Sequence, residues 1–139
     1  MKYAVIADIH ANSASLLAVL SDAKAQGAAQ YLICGDYFMC MPWANETVEL
    51  IRSIPNARVI FGNEDRYYDK CIGKDLYHPK DAQFLALYWA YRELSEENRV
   101  YIEALPEKIE FCTGGVSVFM SHGADTWLAG KPEERLTSK

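Results

Sequence analysis

The chain has 139 residues, the size of a single domain with room for a buried core. Half of it is apolar and 24% is charged, and 19 acidic residues against 14 basic leave a net charge of -5, which argues against nucleic acid or an anionic membrane as a stable partner. No apolar run approaches the roughly 18 residues a membrane span needs, and the start, MKYAVIADIH, has neither the long apolar stretch nor the cleavage site of a signal peptide, so a cytoplasmic, membrane-free protein is expected.

Residues 2–7 read as a short apolar strand that runs into Asp8-x-His10. In a strand, positions i and i+2 share a face, so Asp8 and His10 aim at one point, as metal ligands, as an acid/base pair or bonded to each other. A helix follows over 13–26, capped by Asn12 or Ser13, with Leu16, Leu17 and Leu20 as its apolar face and Gly27 at its end. Residues 30–34 form a second strand closing on Gly35-Asp36. PWANETVELIRSI is a second helix, with Pro42 or Asn45 near its start, broken by Pro55 and Asn56. Residues 57–61 form a third strand, ending on Gly62-Asn63-Glu64-Asp65. After a mixed stretch, 81–93 and 96–104 read as helices, the second opened by the SEEN cap signal, with Tyr88, Trp89 and Tyr91 in the core. KIEFCTGGVSVFMSHG reads as a hairpin: strand 108–112, turn at Gly114-Gly115, strand 116–121, then His122-Gly123. The four cysteines, Cys34, Cys40, Cys71 and Cys112, show no metal or redox spacing and read as free thiols, Cys34 and Cys112 within the core.

Short, uniformly apolar strands alternating with helices indicate an α/β fold with a mostly parallel sheet flanked by helices. Ligands in such sheets sit beyond the carboxyl ends of the strands, so parallel strands should bring Asp8, His10, Asp36, Asn63 and His122 to one edge. Two carboxylates, two imidazoles and an amide oxygen suit one or two borderline divalent ions: Mn, Fe, Zn, Co or Ni. The helix after His10 would point its N-terminus at the same place, which favours an anion such as phosphate. A metal-free nucleotide site is disfavoured, since no glycine-rich loop follows the first strand.

The order D-x-H, G-D, G-N-x-D, H-G resembles the calcineurin-like metallophosphoesterases, in particular their compact bacterial phosphodiesterase-like branch. The stretches IADIHAN, GDYF, NETVELIRSIPNARVIFGNED, ALP and SHG fall in that family's order from Met1 to about His122. The resemblance implies the N-terminal part of a four-layer α-β-β-α sandwich. It also implies hydrolysis of a small phosphorylated substrate, a phosphodiester rather than a monoester, by attack of a metal-bound hydroxide. Asp8 and His10 would bind a first metal, Asp36 would bridge both, and Asn63 and His122 would bind the second. Asp36 and Glu64 are the candidate catalytic residues, Asn63 and Arg66 the candidate substrate contacts, and Asp65 would orient its neighbours.

The chain departs from the pattern twice. Glu64 stands where the family often has a histidine that handles the leaving-group oxygen; it could act as an acid only with a raised pKa, and ionised it would repel phosphate. The later G-H-x-H motif, which adds a ligand to each metal, is not in the sequence, and His78 lies outside any motif. The chain is therefore read as a single, C-terminally truncated domain. One face of its sheet would need a cover, most simply a second copy of itself. The alternative function is a degenerate member without hydrolytic activity, serving as a metal-binding or protein-interaction module.

Overall fold

The computed structural model describes residues 1–70 and 85–123. Strands β1 (Tyr3–Ile6), β2 (Gln30–Cys34) and β3 (Ala57–Ile60) form a parallel sheet in the order β1-β2-β3. Tyr3 pairs with Gln30 in the first ladder and Tyr31 with Ala57 in the second. Helix α1 (Ser13–Ala25) connects β1 to β2 and α2 (Ala44–Ser53) connects β2 to β3. Because both crossovers step the same way across the sheet, and such crossovers are right-handed, both helices fall on one face. A 3-10 helix (Glu64–Lys70), then α3 (Leu85–Glu93) and α4 (Glu96–Glu103), complete that layer. Residues 81–84 of the predicted third helix, and His78, lie outside the described residues.

The period-two alternation of the strands sorts the core into two parts. Tyr31, Ile33 and Val59 point toward the helices and pack with Leu16, Val48, Ile51, Leu87 and Ile102. Leu32 and Ile60, with Tyr3 and Cys34, point to the other face. That face is covered by an antiparallel hairpin, β4 (Lys108–Thr113) and β5 (Val116–Ser121), through Met120, Ile109 and Phe111. The Tyr3 hydroxyl donates to Thr113 Oγ1 (2.9 Å) at the hairpin tip, and the Phe61 N–H donates to the Pro106 carbonyl (2.8 Å) at its base. The fourth polar strand end thus belongs to a separate two-stranded sheet, not to the parallel one. It still reaches the shared edge, because β5 runs in the same sense as β1–β3.

The caps follow the sequence. Asn12 Oδ1 accepts from the Ser15 N–H at the start of α1, and Ser95 Oγ accepts from the Asn98 N–H at the start of α4. Asn45 does not cap α2. Its amide oxygen accepts from the Ser95 N–H (2.8 Å) and Asn98 Nδ2 (3.0 Å), and its Nδ2 donates to the Glu93 carbonyl, fastening α2 to the α3–α4 turn. Three side chains expected inside are not. Leu17 and Trp89 are exposed on their helices, and Cys112 lies on the outward face of β4. Leu16 is the buried residue of helix α1, and Leu20 and Ala23 pack partly buried against the same core.

Ile33 is fully buried at the centre of the sheet, whereas Val5, on the edge strand, is 67% exposed. Ile33→Ala should therefore lower stability by about 2–5 kcal/mol and Val5→Ala by no more than about 0.5 kcal/mol. Urea denaturation of the two variants checks this, and equal losses would contradict the assigned faces.

Candidate metal centre

Four chain segments meet at the carboxyl edge of the parallel sheet. β1 ends at Ile6, so Asp8 and His10 do not lie on a strand, and alternation is not what brings them together. Asp8 (φ 55°), His10 (φ 50°) and Ala11 (φ 57°) all adopt left-handed backbone, a conformation that non-glycine residues hold only where the surroundings over-determine it. The N–H groups of Asp8, His10 and Ala11 donate to the carbonyls of Gly35 (3.2 Å), Asp36 (3.0 Å) and Tyr37 (2.5 Å). The β1–β2 ladder is in effect continued through a coiled segment, and this holds the loop in place.

Asp36 is itself left-handed (φ 58°) and only 4% exposed. Its Oδ1 accepts from the Glu64 N–H (3.0 Å), and its Oδ2 faces His122 Nε2 at 3.2 Å. Asp65 organises the backbone around it. Its buried carboxylate accepts from the N–H groups of Asp36 (2.8 Å), Tyr37 (2.9 Å) and Gly62 (2.8 Å). Burial raises the Asp65 pKa to about 6, against the lowering effect of those bonds. Tyr37 is buried, and its hydroxyl donates to the Ile60 carbonyl and accepts from the Gly35 N–H (3.1 Å). Gly35 and Gly62 let these loops touch. A Cβ on Gly62 would stand 2.1 Å from Asp36 Oδ1, and one on Gly35 would stand 2.5 Å from the Gly62 Cα.

Ligand atoms of Asp8, His10 and Asp36 lie within 4.8 Å of one another. Asp8 is the open side of this group, its side chain 60% exposed and its Oδ1 3.9 Å from His10 Nε2. His122 Nδ1 meets the Cys34 carbonyl, an acceptor only, so the proton sits on Nδ1 and Nε2 turns its lone pair toward Asp36. Two acceptors face to face require a proton or a cation between them. A backbone carbonyl holding one ring nitrogen while the other faces the site is the usual support of a metal-binding histidine.

His10 Nδ1 and Glu64 Oε2 lie 3.1 Å apart, yet both are shielded from solvent and neither makes an aligned hydrogen bond. At this distance a ring proton between them, or a cation held by both, would satisfy the two atoms. Burial, then the charge on Asp36, raises the Glu64 pKa, with His10 opposing. Cys40, exposed and left-handed (φ 83°), brings its Sγ within 4.8 Å of the His10 and Glu64 ligand atoms. Burial and the charges of Glu64 and Asp36 raise its thiol pKa, and the same negative field favours a cation. The donor set therefore fits a divalent metal.

Two sequence candidates sit differently. Asn63 is exposed on the turn between Gly62 and Glu64. The Arg66 guanidinium pairs with Glu107 and lies 4.9 Å over the Phe61 ring. Cys40 was not foreseen, since no spacing rule connects it to His10 or Glu64. Its only signal is its place four residues after Asp36.

The family model for calcineurin-like phosphoesterases matches residues 1–137. An uncharacterised protein of Methanocaldococcus jannaschii is 34% identical over 119 residues, covering 86% of this chain and 48% of its own length. A crystal structure of a metallophosphoesterase from Sphaerobacter thermophilus superposes with a TM-score of 0.62 at 34% identity, over 84% of this chain and 45% of that one. A hypothetical protein from Pyrococcus horikoshii OT3 shares the fold at a TM-score of 0.65 and 24% identity, over 84% of this chain and 52% of that one. The chain thus spans about half the length of the relatives it matches.

Asp65→Ala leaves three buried N–H groups without an acceptor and should cost at least about 3 kcal/mol, at 1–3 kcal/mol for each orphaned group. Asp65→Asn, which keeps one carbonyl oxygen, should cost less. Gly62→Ala displaces Asp36 and should weaken divalent-cation affinity. Chemical denaturation and calorimetric titration with Mn or Zn ions measure these effects, and a Gly62→Ala protein with unchanged affinity would contradict the geometry.

Proposed function

The chain belongs to the calcineurin-like phosphoesterase family, and on that premise we propose that it serves the metal-dependent hydrolysis of a phosphate ester, a phosphodiester in preference to a monoester. The observation that carries this reading is the convergence of Asp8, His10 and Asp36, with His122 Nε2 facing Asp36 Oδ2 at 3.2 Å. One or two divalent ions, drawn from Mn, Fe, Zn, Co and Ni, would be held by Asp8, His10, Asp36, His122 and Asn63. When bound, such ions supply Lewis acidity to a phosphoryl oxygen and lower the pKa of a coordinated water.

The residues have separable tasks. Asp36, buried at the middle of the group, holds charge between the β1 loop and His122. Asp65 keeps the Asp36 and Gly62 backbone in register. Glu64, with its raised pKa, retains a proton to higher pH than an exposed glutamate does. Protonated, it can donate to a phosphate or leaving-group oxygen instead of repelling it. Asn63, exposed beside Glu64, would meet substrate, whereas Arg66 would first have to leave Glu107. The diester preference follows from charge: Asp8, Asp36 and Glu64 gather acidity at one edge, and a diester brings less negative charge to it than a monoester.

No helix among the described residues is long and apolar enough to cross a membrane. Cytoplasmic action accords with the free thiols Cys34, Cys40 and Cys112. A second copy of the chain would cover the part of the sheet face where Val5 stands bare. The second reading, metal binding without turnover, draws on Glu64, an acidic residue beside the group that would repel a phosphate when ionised.

Hydrolysis of a chromogenic phosphodiester should depend on added Mn, exceed that of the matching monoester, and fall by about 100-fold or more in Asp36→Asn, at or beyond the upper end of the loss for an outer-shell partner. Equal background rates in both proteins would leave the non-hydrolytic reading.

A further inference from the structure

The geometry points to a thiolate-containing cation site, formed by His10, Cys40 and Glu64, beside the Asp8–His10–Asp36 group and sharing its imidazole. The ligand atoms of the three residues lie within 4.8 Å of one another. Bond lengths of about 2.0–2.3 Å to nitrogen, oxygen and sulfur bring them onto one ion with small side-chain rotations. His10 divides between two surroundings. Its Nε2 looks toward Asp8 at 3.9 Å and its Nδ1 toward Glu64 at 3.1 Å. Both Nδ1 and Glu64 Oε2 are shielded from water without an aligned hydrogen bond, so the gap between them is where a cation would satisfy both.

Cys40 is exposed, with its Sγ within 4.8 Å of both ligand atoms. An entering ion would displace to solvent the thiol proton, any proton on Glu64 and, where His10 Nε2 already holds an ion, the remaining ring proton, so a filled site has Glu64 as a ligand and not as the proton donor. One sulfur, one nitrogen and one oxygen donor select Zn or Co over Mn or Mg. The sequence motifs alone, which offer only nitrogen and oxygen, do not express this preference. The inference rests on the reading that a divalent cation binds at this edge, and adds to it the class of ion and the residue that chooses it.

The test is titration of the reduced, full chain with Co ions, followed by absorption, alongside Cys40→Ser and Glu64→Gln. Cys40 is exposed, so Cys40→Ser should retain the wild-type circular dichroism spectrum. A strong near-ultraviolet thiolate-to-cobalt band is expected in the wild type. It should vanish in Cys40→Ser and need roughly tenfold more Co in Glu64→Gln. A band that persists in Cys40→Ser comes from another cysteine and overturns the site, as does a Glu64→Gln titration identical to wild type. Weak visible bands without the sulfur band would also overturn it. In that case an ion on nitrogen and oxygen ligands remains, and the proposed hydrolytic centre survives without Cys40.

Discussion

The carboxylate of Asp65 is the constraint on which the site depends. It is buried, and it gathers N–H groups from two loops that are distant in sequence: Asp36 and Tyr37 after β2, and Gly62 after β3. Backbone donors of this kind have no other partner at the end of a sheet, where the ladder stops. One acceptor that serves three of them sets the spacing of both loops. Asp36, between the loops, inherits its position from that bond set.

The rest of the edge is built by giving up ordinary backbone. Asp8, His10, Ala11, Asp36 and Cys40 are all left-handed, and Gly35 and Gly62 approach too closely for a side chain. Each left-handed non-glycine residue among them costs on the order of 1–3 kcal/mol. The fully buried pieces around it, Tyr37, Phe38 and Ile60 among them, hold the loops against that cost. Acidic groups are concentrated at the same place, and burial first, then their charge, raises the pKa values of Glu64 and Cys40. Strain and like charge together mark a site shaped for a ligand rather than for stability.

The two faces of the sheet are covered by different means. Four helices and Asn45, which links α2 to the α3–α4 turn, close one face. A two-stranded hairpin covers β2 and β3 on the other and delivers His122 to the edge. Val5 stays bare on this second face. This chain spans about half the length of the relatives it matches.

Element order, strand limits to within a residue or two, the α1 and α4 caps and the hairpin turn were all legible in the sequence. They depend on local periodicity, turn residues and capping, which neighbouring residues decide. The motifs after β1, β2 and β3 were legible because a parallel sheet sends its strand ends to one side, whereas His122 arrives on a separate antiparallel hairpin. Other features were decided only by tertiary structure, because each is a contact between residues far apart in the chain. Asp8 and His10 meet through left-handed backbone bonded to the β2 loop, not through strand alternation. Arg66 is taken by Glu107, Leu17 is exposed, and Cys40 joins His10 and Glu64. Which side chain fills a gap of a few ångströms depends on how three loops pack, and one-dimensional spacing does not contain that distance.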